Sequence, residues 1–171
     1  MPDSSRIDEL RRRVLKDPAS IAFAQLGEEY RRAGQLADAV DACRIGLTTH
    51  PEYVSARVTL GRALLALGRL DEATVELRQV LATAPENLAA TRALADALRQ
   101  QGRLAEALPY YAEALTLAPN DPDLERSITD TRRALAAAAE PSAERARDRA
   151  TVSALERWLE AIYAARTVRP S

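Results

Sequence analysis

The sequence is poor in the side chains on which most catalytic and metal chemistry depends. Its 171 residues include one cysteine, Cys43, and one histidine, His50. A lone cysteine excludes an intrachain disulfide. One histidine and one cysteine cannot build a zinc cluster or a supported nucleophile–base pair. Aromatics make up only 4%, and Lys16 is the sole lysine, so the cations are almost all arginine. A GC-rich bacterial coding sequence is the plain reading of that bias. The 6 glycines are scattered and form no phosphate-cradling loop. No apolar run approaches the roughly 20 residues that span a bilayer. The first residues, Met1-Pro2-Asp3-Ser4-Ser5-Arg6, are charged and lack the apolar stretch of a signal peptide. The formal net charge is −1, without the positive surplus of a nucleic-acid binder. These absences point to a cytoplasmic, non-catalytic protein with no cofactor, no metal, no nucleic acid and no membrane insertion.

What is present is alanine, leucine and a strict period. Hydrophobic residues reach 47%, and Ala and Leu favour helices over strands. Pro51, Pro85 and Pro119 are 34 residues apart. Ala39, Ala73 and Ala107 keep the same step, as do Gly34, Gly68 and Gly102 with Leu36, Leu70 and Leu104 two positions later. Leu26-Gly27, Leu60-Gly61 and Leu94-Ala95 fall in register, and so do Tyr30, Leu64 and Leu98. Each block reads as two amphipathic helices. In the middle block the first helix carries Val54, Val58, Leu60, Leu64 and Leu67. Gly68 supplies the left-handed turn, Asp71 is placed to cap the second helix, and Pro85 ends the block. Gly27 and Gly61 lie inside helices, where glycine costs about 1 kcal/mol against alanine. Close helix packing is the reason expected for them, with Ala39, Ala73 and Ala107 as small partners on the second helix. Cys43 falls in a buried slot and reads as an inert thiol. His50, beside Pro51, reads as a helix-end residue.

These columns resemble the tetratricopeptide repeat, with its large residue, Leu-Gly, Tyr, Ala, aromatic, Ala and closing Pro. The large slot holds Phe23, Arg57 and Thr91, the aromatic slot Cys43, Leu77 and Tyr111, and the second small slot Gly46, Val80 and Ala114. The resemblance covers Ala19 to Asn120. It implies an all-α, right-handed solenoid of stacked antiparallel helix pairs. The expected division is an N-terminal helix over 1–18, three repeats over 19–52, 53–86 and 87–120, a capping helix over 121–139, and a linker with a C-terminal amphipathic helix over 140–171. Ile7, Leu10, Val14 and Leu15 give the first helix an apolar face ending at Asp17-Pro18. Asp121-Pro122-Asp123 is a helix start, and Leu124, Ile128 and Leu135 form that helix's inward face. Glu140-Pro141-Ser142 is a break. Beyond it, Val152, Leu155, Trp158, Leu159, Ile162 and Tyr163 share one face. That stripe either seals the stack or docks as a helix in a groove, on this chain or another.

The resemblance also implies a concave surface lined by the first helix of each repeat. Its residues would be Ala24, Val58 and Arg92; Glu28, Arg62 and Asp96; and Arg31, Leu65 and Arg99, with Arg126, Asp130 and Arg133 following. Six arginines face three acids, a local surplus of +3 that suits an acidic segment of a protein or peptide partner. Arg62, Arg92 and Arg99 would be central. The competing arrangement is a charge ladder through Glu28, Arg62 and Asp96, with Arg92 pairing Asp96 within one helix. Family members that clamp a C-terminal carboxylate use paired Lys, Asn and Arg. Ala24, Glu28, Thr59, Ala89 and Ala93 stand in those slots, so that ligand is not expected. The function read from the sequence is a protein-binding scaffold. The alternative is a homo-oligomer joined through Leu155, Trp158, Leu159 and Ile162.

Overall fold

The computed structural model describes residues 3–17, 20–139 and 143–167, and their regular structure is helical throughout. Pro18 and Glu140-Pro141-Ser142, where the sequence places breaks, lie outside the described residues. The helices are α1 (Asp3–Lys16), α2 (Ala22–Arg32), α3 (Leu36–Thr49), α4 (Val54–Ala66), α5 (Leu70–Thr83), α6 (Leu88–Gln100), α7 (Leu104–Leu117), α8 (Pro122–Ala139) and α9 (Ala143–Thr167). They divide into two compact units, Met1–Arg133 and Ala134–Ser171.

In the first unit α2 pairs with α3, α4 with α5 and α6 with α7. The pairs stack through α3 on α4 and α5 on α6, and α2, α4 and α6 are neighbours along one side. Small residues set the spacing. Ala39, Ala73 and Ala107 are fully buried. A methyl added at Gly27 would lie 2.5 Å from Cys43 Sγ, and one at Gly61 would lie 2.7 Å from the Leu77 side chain. Either would push the paired helix away, so the modest helix penalty of glycine is the lesser one. Ala73→Leu is expected to cost about 1–3 kcal/mol through overpacking, read from a urea melt followed by circular dichroism. A neutral result would mean that α4 and α5 are not in close contact.

Gly34, Gly68 and Gly102 have φ of 76°, 74° and 77°, the left-handed region that only glycine enters without strain. Around Gly68 the turn closes with Gly68 N–H donating to the Leu65 carbonyl at 3.0 Å and Arg69 N–H donating to that of Leu64 at 2.9 Å. This is the paired helix-ending pattern that satisfies the last carbonyls. Two local expectations need correction. Asp71 is not the cap of α5. The glycine turn delivers the chain into helix already at Leu70, with Arg69 at the cap position and no side-chain cap bond. Asp71 therefore lies in the first turn, where its charge still faces the positive helix end, and it accepts from Gln101 Nε2 at 2.8 Å. Leu67 follows the last helical residue of α4 and is 39% exposed rather than part of its buried face.

The ends follow the same logic. Ile7 and Leu10 of α1 enter the core, whereas Leu15, expected on the same apolar face, is exposed. At α8, Asp121 Oδ1 accepts from the backbone N–H groups of Asp123 at 2.9 Å and Leu124 at 3.3 Å. Leu124, Ile128 and Thr131 are buried beneath that start. In the second unit, α9 carries its apolar stripe in the open: Val152, Leu155, Leu159 and Tyr163 are exposed, Trp158 is 61% exposed, and Ile162 is half-buried. Among the described residues no helix is long and apolar enough to cross a membrane.

Candidate functional site

The α2–α4–α6 side of the first unit holds two adjoining hollows of about 550 and 590 Å³. Ala24, Glu28, Val58 and Arg62 line the first, together with Thr59, Arg32 and Asn87. Arg31, Arg62, Leu65, Arg92 and Asp96 line the second, together with Leu88 and Ala93. Arg62 and Ala89 belong to both and form the shared wall. Eight of the nine expected groove residues are thus brought together. Arg99 is the exception: it is exposed, lies outside both hollows, and donates from Nε to Tyr111 Oη at 3.0 Å.

Side-chain pairing changes the electrostatics expected from counting charges. Glu28 accepts from Arg31 Nε at 2.9 Å and Nη2 at 2.8 Å, and from Arg32 Nε at 3.1 Å. Thr59 Oγ1 adds a hydrogen bond at 3.3 Å. Arg92 does not pair with Asp96. It reaches instead to Asp121 at 3.0 Å, across the α7 hairpin. Asp96 accepts from the buried Tyr111 hydroxyl at 2.6 Å. Arg126 and Arg133 pair with Asp123 and Asp130 on their own helix, at 3.1 and 3.8 Å. Asp121 and Asp123, acids outside that count, thus offset part of the +3 surplus, and no Glu28–Arg62–Asp96 ladder of direct contacts forms.

Arg62 stands apart. Among the described residues it makes no hydrogen bond and no ion pair, although it is half-buried. Burial first, then repulsion from Arg31, lowers its pKa, and attraction to Glu28 opposes that shift. The Glu28 carboxyl is held down from 4.5 to about 2, chiefly by its hydrogen bond from Arg31, with burial opposing. A carboxylate whose folded pKa is depressed adds stability above its unfolded pKa and loses it as pH falls. Glu28 therefore contributes fully above about 4.5, and that contribution disappears on acidification toward about 2. Glu28→Gln is expected to flatten the acid limb of a stability–pH curve in this window. An unchanged limb would mean that the Arg31–Glu28 pair does not persist in solution.

Burial pushes the Cys43 thiol up to about 12, so it stays protonated. His50 follows α3 and stacks on Phe23 at 5.9 Å between ring centroids. Arg32, Asn87 and Leu88 line the hollows without having been expected there. Asn87 and Leu88 sit at the start of α6, where Asn87 Oδ1 accepts from the backbone N–H of Ala90 at 3.0 Å. The signal was an Asn just before an apolar helical run, which marks a cap but not that the cap borders a groove.

Two family models for the tetratricopeptide repeat match the chain, one over residues 30–97 and one over 76–122. Among solved structures, MamA (41-end) from Desulfovibrio magneticus RS-1 superposes with a TM-score of 0.71 at 17% identity, covering 98% of this chain and 88% of that one. The first TPR domain of the human RPAP3 protein superposes with a TM-score of 0.66 at 20% identity, covering 70% and 94%. The first TPR of Spaghetti (RPAP3), solved bound to the HSP90 peptide SRMEEVD, gives the same TM-score, identity and coverage. At these identities the likeness is one of fold. No curated protein matches in sequence.

Proposed function

The chain belongs to the tetratricopeptide-repeat family, and from that premise we propose that the α2–α4–α6 groove holds an extended or helical segment of a partner protein and performs no catalysis. The observation that carries this reading is the pair of adjoining hollows, where apolar surface from Val58, Leu65 and Ala93 alternates with charged groups. Such a mixed trough suits a peptide better than a small molecule, whose pockets are more enclosed and more apolar. The similar RPAP3 domain is one that was solved with a peptide bound. The lining residues proposed to meet the segment are Ala24, Glu28, Arg31, Val58, Arg62, Leu65, Arg92 and Asp96, with Arg99 at the rim.

The test is to fill the groove without touching the core. Ala89 is exposed and borders both hollows, so Ala89→Trp should leave the fold intact while obstructing the trough. Peptides selected from a random dodecapeptide display library on the full chain are expected to lose affinity about tenfold or more against Ala89→Trp, since a well-packed contact residue commonly carries that much. Selected peptides that bind both proteins equally would place their site elsewhere.

The exposed face of α9 favours a second reading. Leu155, Trp158 and Leu159 form an unpaired apolar patch of the kind that marks interaction sites, and a second copy of the chain is the occupant we propose. Trp158→Ala should lower the molecular mass seen by light scattering at high concentration. A wild-type protein that stays monomeric throughout would remove this reading.

A further inference from the structure

We propose that Arg62 is a carboxylate-binding subsite within the groove, taking one Glu or Asp side chain of the bound segment as a bidentate pair. The proposal rests on the groove reading above and names the chemistry of its occupant.

Three observations carry it. First, position: Arg62 is on the wall common to both hollows, so a segment running from one to the other must cross it. Second, valence: Arg31, Arg92 and Arg99 are each hydrogen-bonded, to Glu28, Asp121 and Tyr111. Arg62 has neither a hydrogen bond nor an ion pair among the described residues. Third, charge: Glu28 is the acid that attracts Arg62, and its oxygens already accept from Arg31, Arg32 and Thr59. Arg31, Arg32 and Arg92 all repel Arg62. A half-buried guanidinium thus faces the trough with its donors unspent. A planar fork of N–H groups matches a carboxylate at two points, and an incoming carboxylate would meet a cation already partly stripped of water.

The arrangement favours a single negative charge over two. The guanidinium groups nearest Arg62 are engaged with Glu28 and Asp121, leaving one fork to offer. A phosphate dianion would need a second free cation beside it. A polyanion such as nucleic acid would need a run of them.

Peptides selected from the dodecapeptide library are resynthesised with each acidic residue changed to Gln, and with phosphoserine at the same place. Binding is measured to the full chain and to Arg62→Gln, Arg62→Lys and Arg78→Gln, each checked for unchanged helical circular dichroism. Arg78 is exposed on α5, away from the hollows. One Glu-to-Gln change is expected to weaken binding about tenfold or more, as for a lost hydrogen bond to a charged group. Arg62→Gln should weaken binding equally and erase the difference between the Glu and Gln peptides, as coupled partners do. Arg62→Lys should restore part of it, keeping the charge but not the fork, and Arg78→Gln should change nothing. Glu and Gln peptides that bind alike would overturn the subsite, as would a Glu preference that survives in Arg62→Gln. Tighter binding of the phosphoserine form would make it a phosphate site instead. If Ala89→Trp blocks these peptides while Arg62→Gln does not, the groove stands and the subsite falls. If no library peptide is blocked by Ala89→Trp, both fall.

Discussion

Phe23→Ala is expected to cost about 3–5 kcal/mol, the range for deleting a fully enclosed aromatic side chain. The ring is 1% exposed. It stacks on His50 with an interplanar angle of 9° and meets Tyr53 at 5.7 Å with a tilt of 59°. Its third wall is the backbone of α3 at Gly46, where an added Cβ would overlap the ring itself. Phenylalanine and glycine here share one volume, so Gly46→Ala should also destabilise, by about 1–3 kcal/mol from overpacking. The two effects should not add. With the ring gone, the new methyl partly fills the cavity, so Gly46→Ala should be nearly neutral in the Phe23→Ala background, the mark of residues in direct contact. Denaturant melts of the four proteins measure this coupling. Strictly additive losses would mean that the ring does not lie over Gly46.

That pair also shows how far the sequence could be read. The large slot and the small slot each looked degenerate when taken as columns, since Arg57 and Thr91 follow Phe23, and Val80 and Ala114 follow Gly46. In the first repeat Phe23 and Gly46 are one adaptation, a large ring set against a residue with no side chain. Columns that fix backbone geometry were legible because the physics is local: Gly34, Gly68 and Gly102 need only their own φ, and Ala39, Ala73 and Ala107 only the distance to one neighbouring helix. The resemblance to the repeat family implied Val58, Arg62 and Leu65 as groove positions, and they line the two hollows. The charge pattern could not. Long arginine side chains choose partners across helices, as when Arg92 reaches Asp121 and Arg57 reaches Glu76 at 2.7 Å. Tyr111, read from the sequence as the aromatic-slot residue of the third repeat, sends its hydroxyl to the Asp96 carboxylate. Counting charges by sequence position therefore could not show that Arg62, among the described residues, makes no hydrogen bond and no ion pair. Pro109 does not end its helix. It sits within α7 on an exposed face, where its ring does not disturb the contact with α6.

Leu60→Ala should fall almost as hard as Phe23→Ala, by about 2–5 kcal/mol, and its position argues for the upper part of that range. Leu60 is 2% exposed at the centre of α4. Helix α4 touches α2, α3, α5 and α6, so a cavity there is walled on every side and cannot collapse without moving two repeats. In a stacked array each repeat is held by its own pair and by the interfaces to its neighbours. Damage in the middle repeat weakens both interfaces, whereas Leu26→Ala, at the matching position of the first repeat, weakens one such interface and the contact with α1. The loss at Leu60 should therefore exceed that at Leu26. Against the roughly 5–15 kcal/mol that stabilises a typical domain, it would be a large fraction. Urea unfolding followed by helical circular dichroism is the measurement, and the midpoint should drop while the slope holds. A slope that falls in Leu60→Ala would mean the repeats have begun to melt separately. A cost below about 1 kcal/mol, or a larger one at Leu26, would contradict the placing of α4 at the centre of the stack.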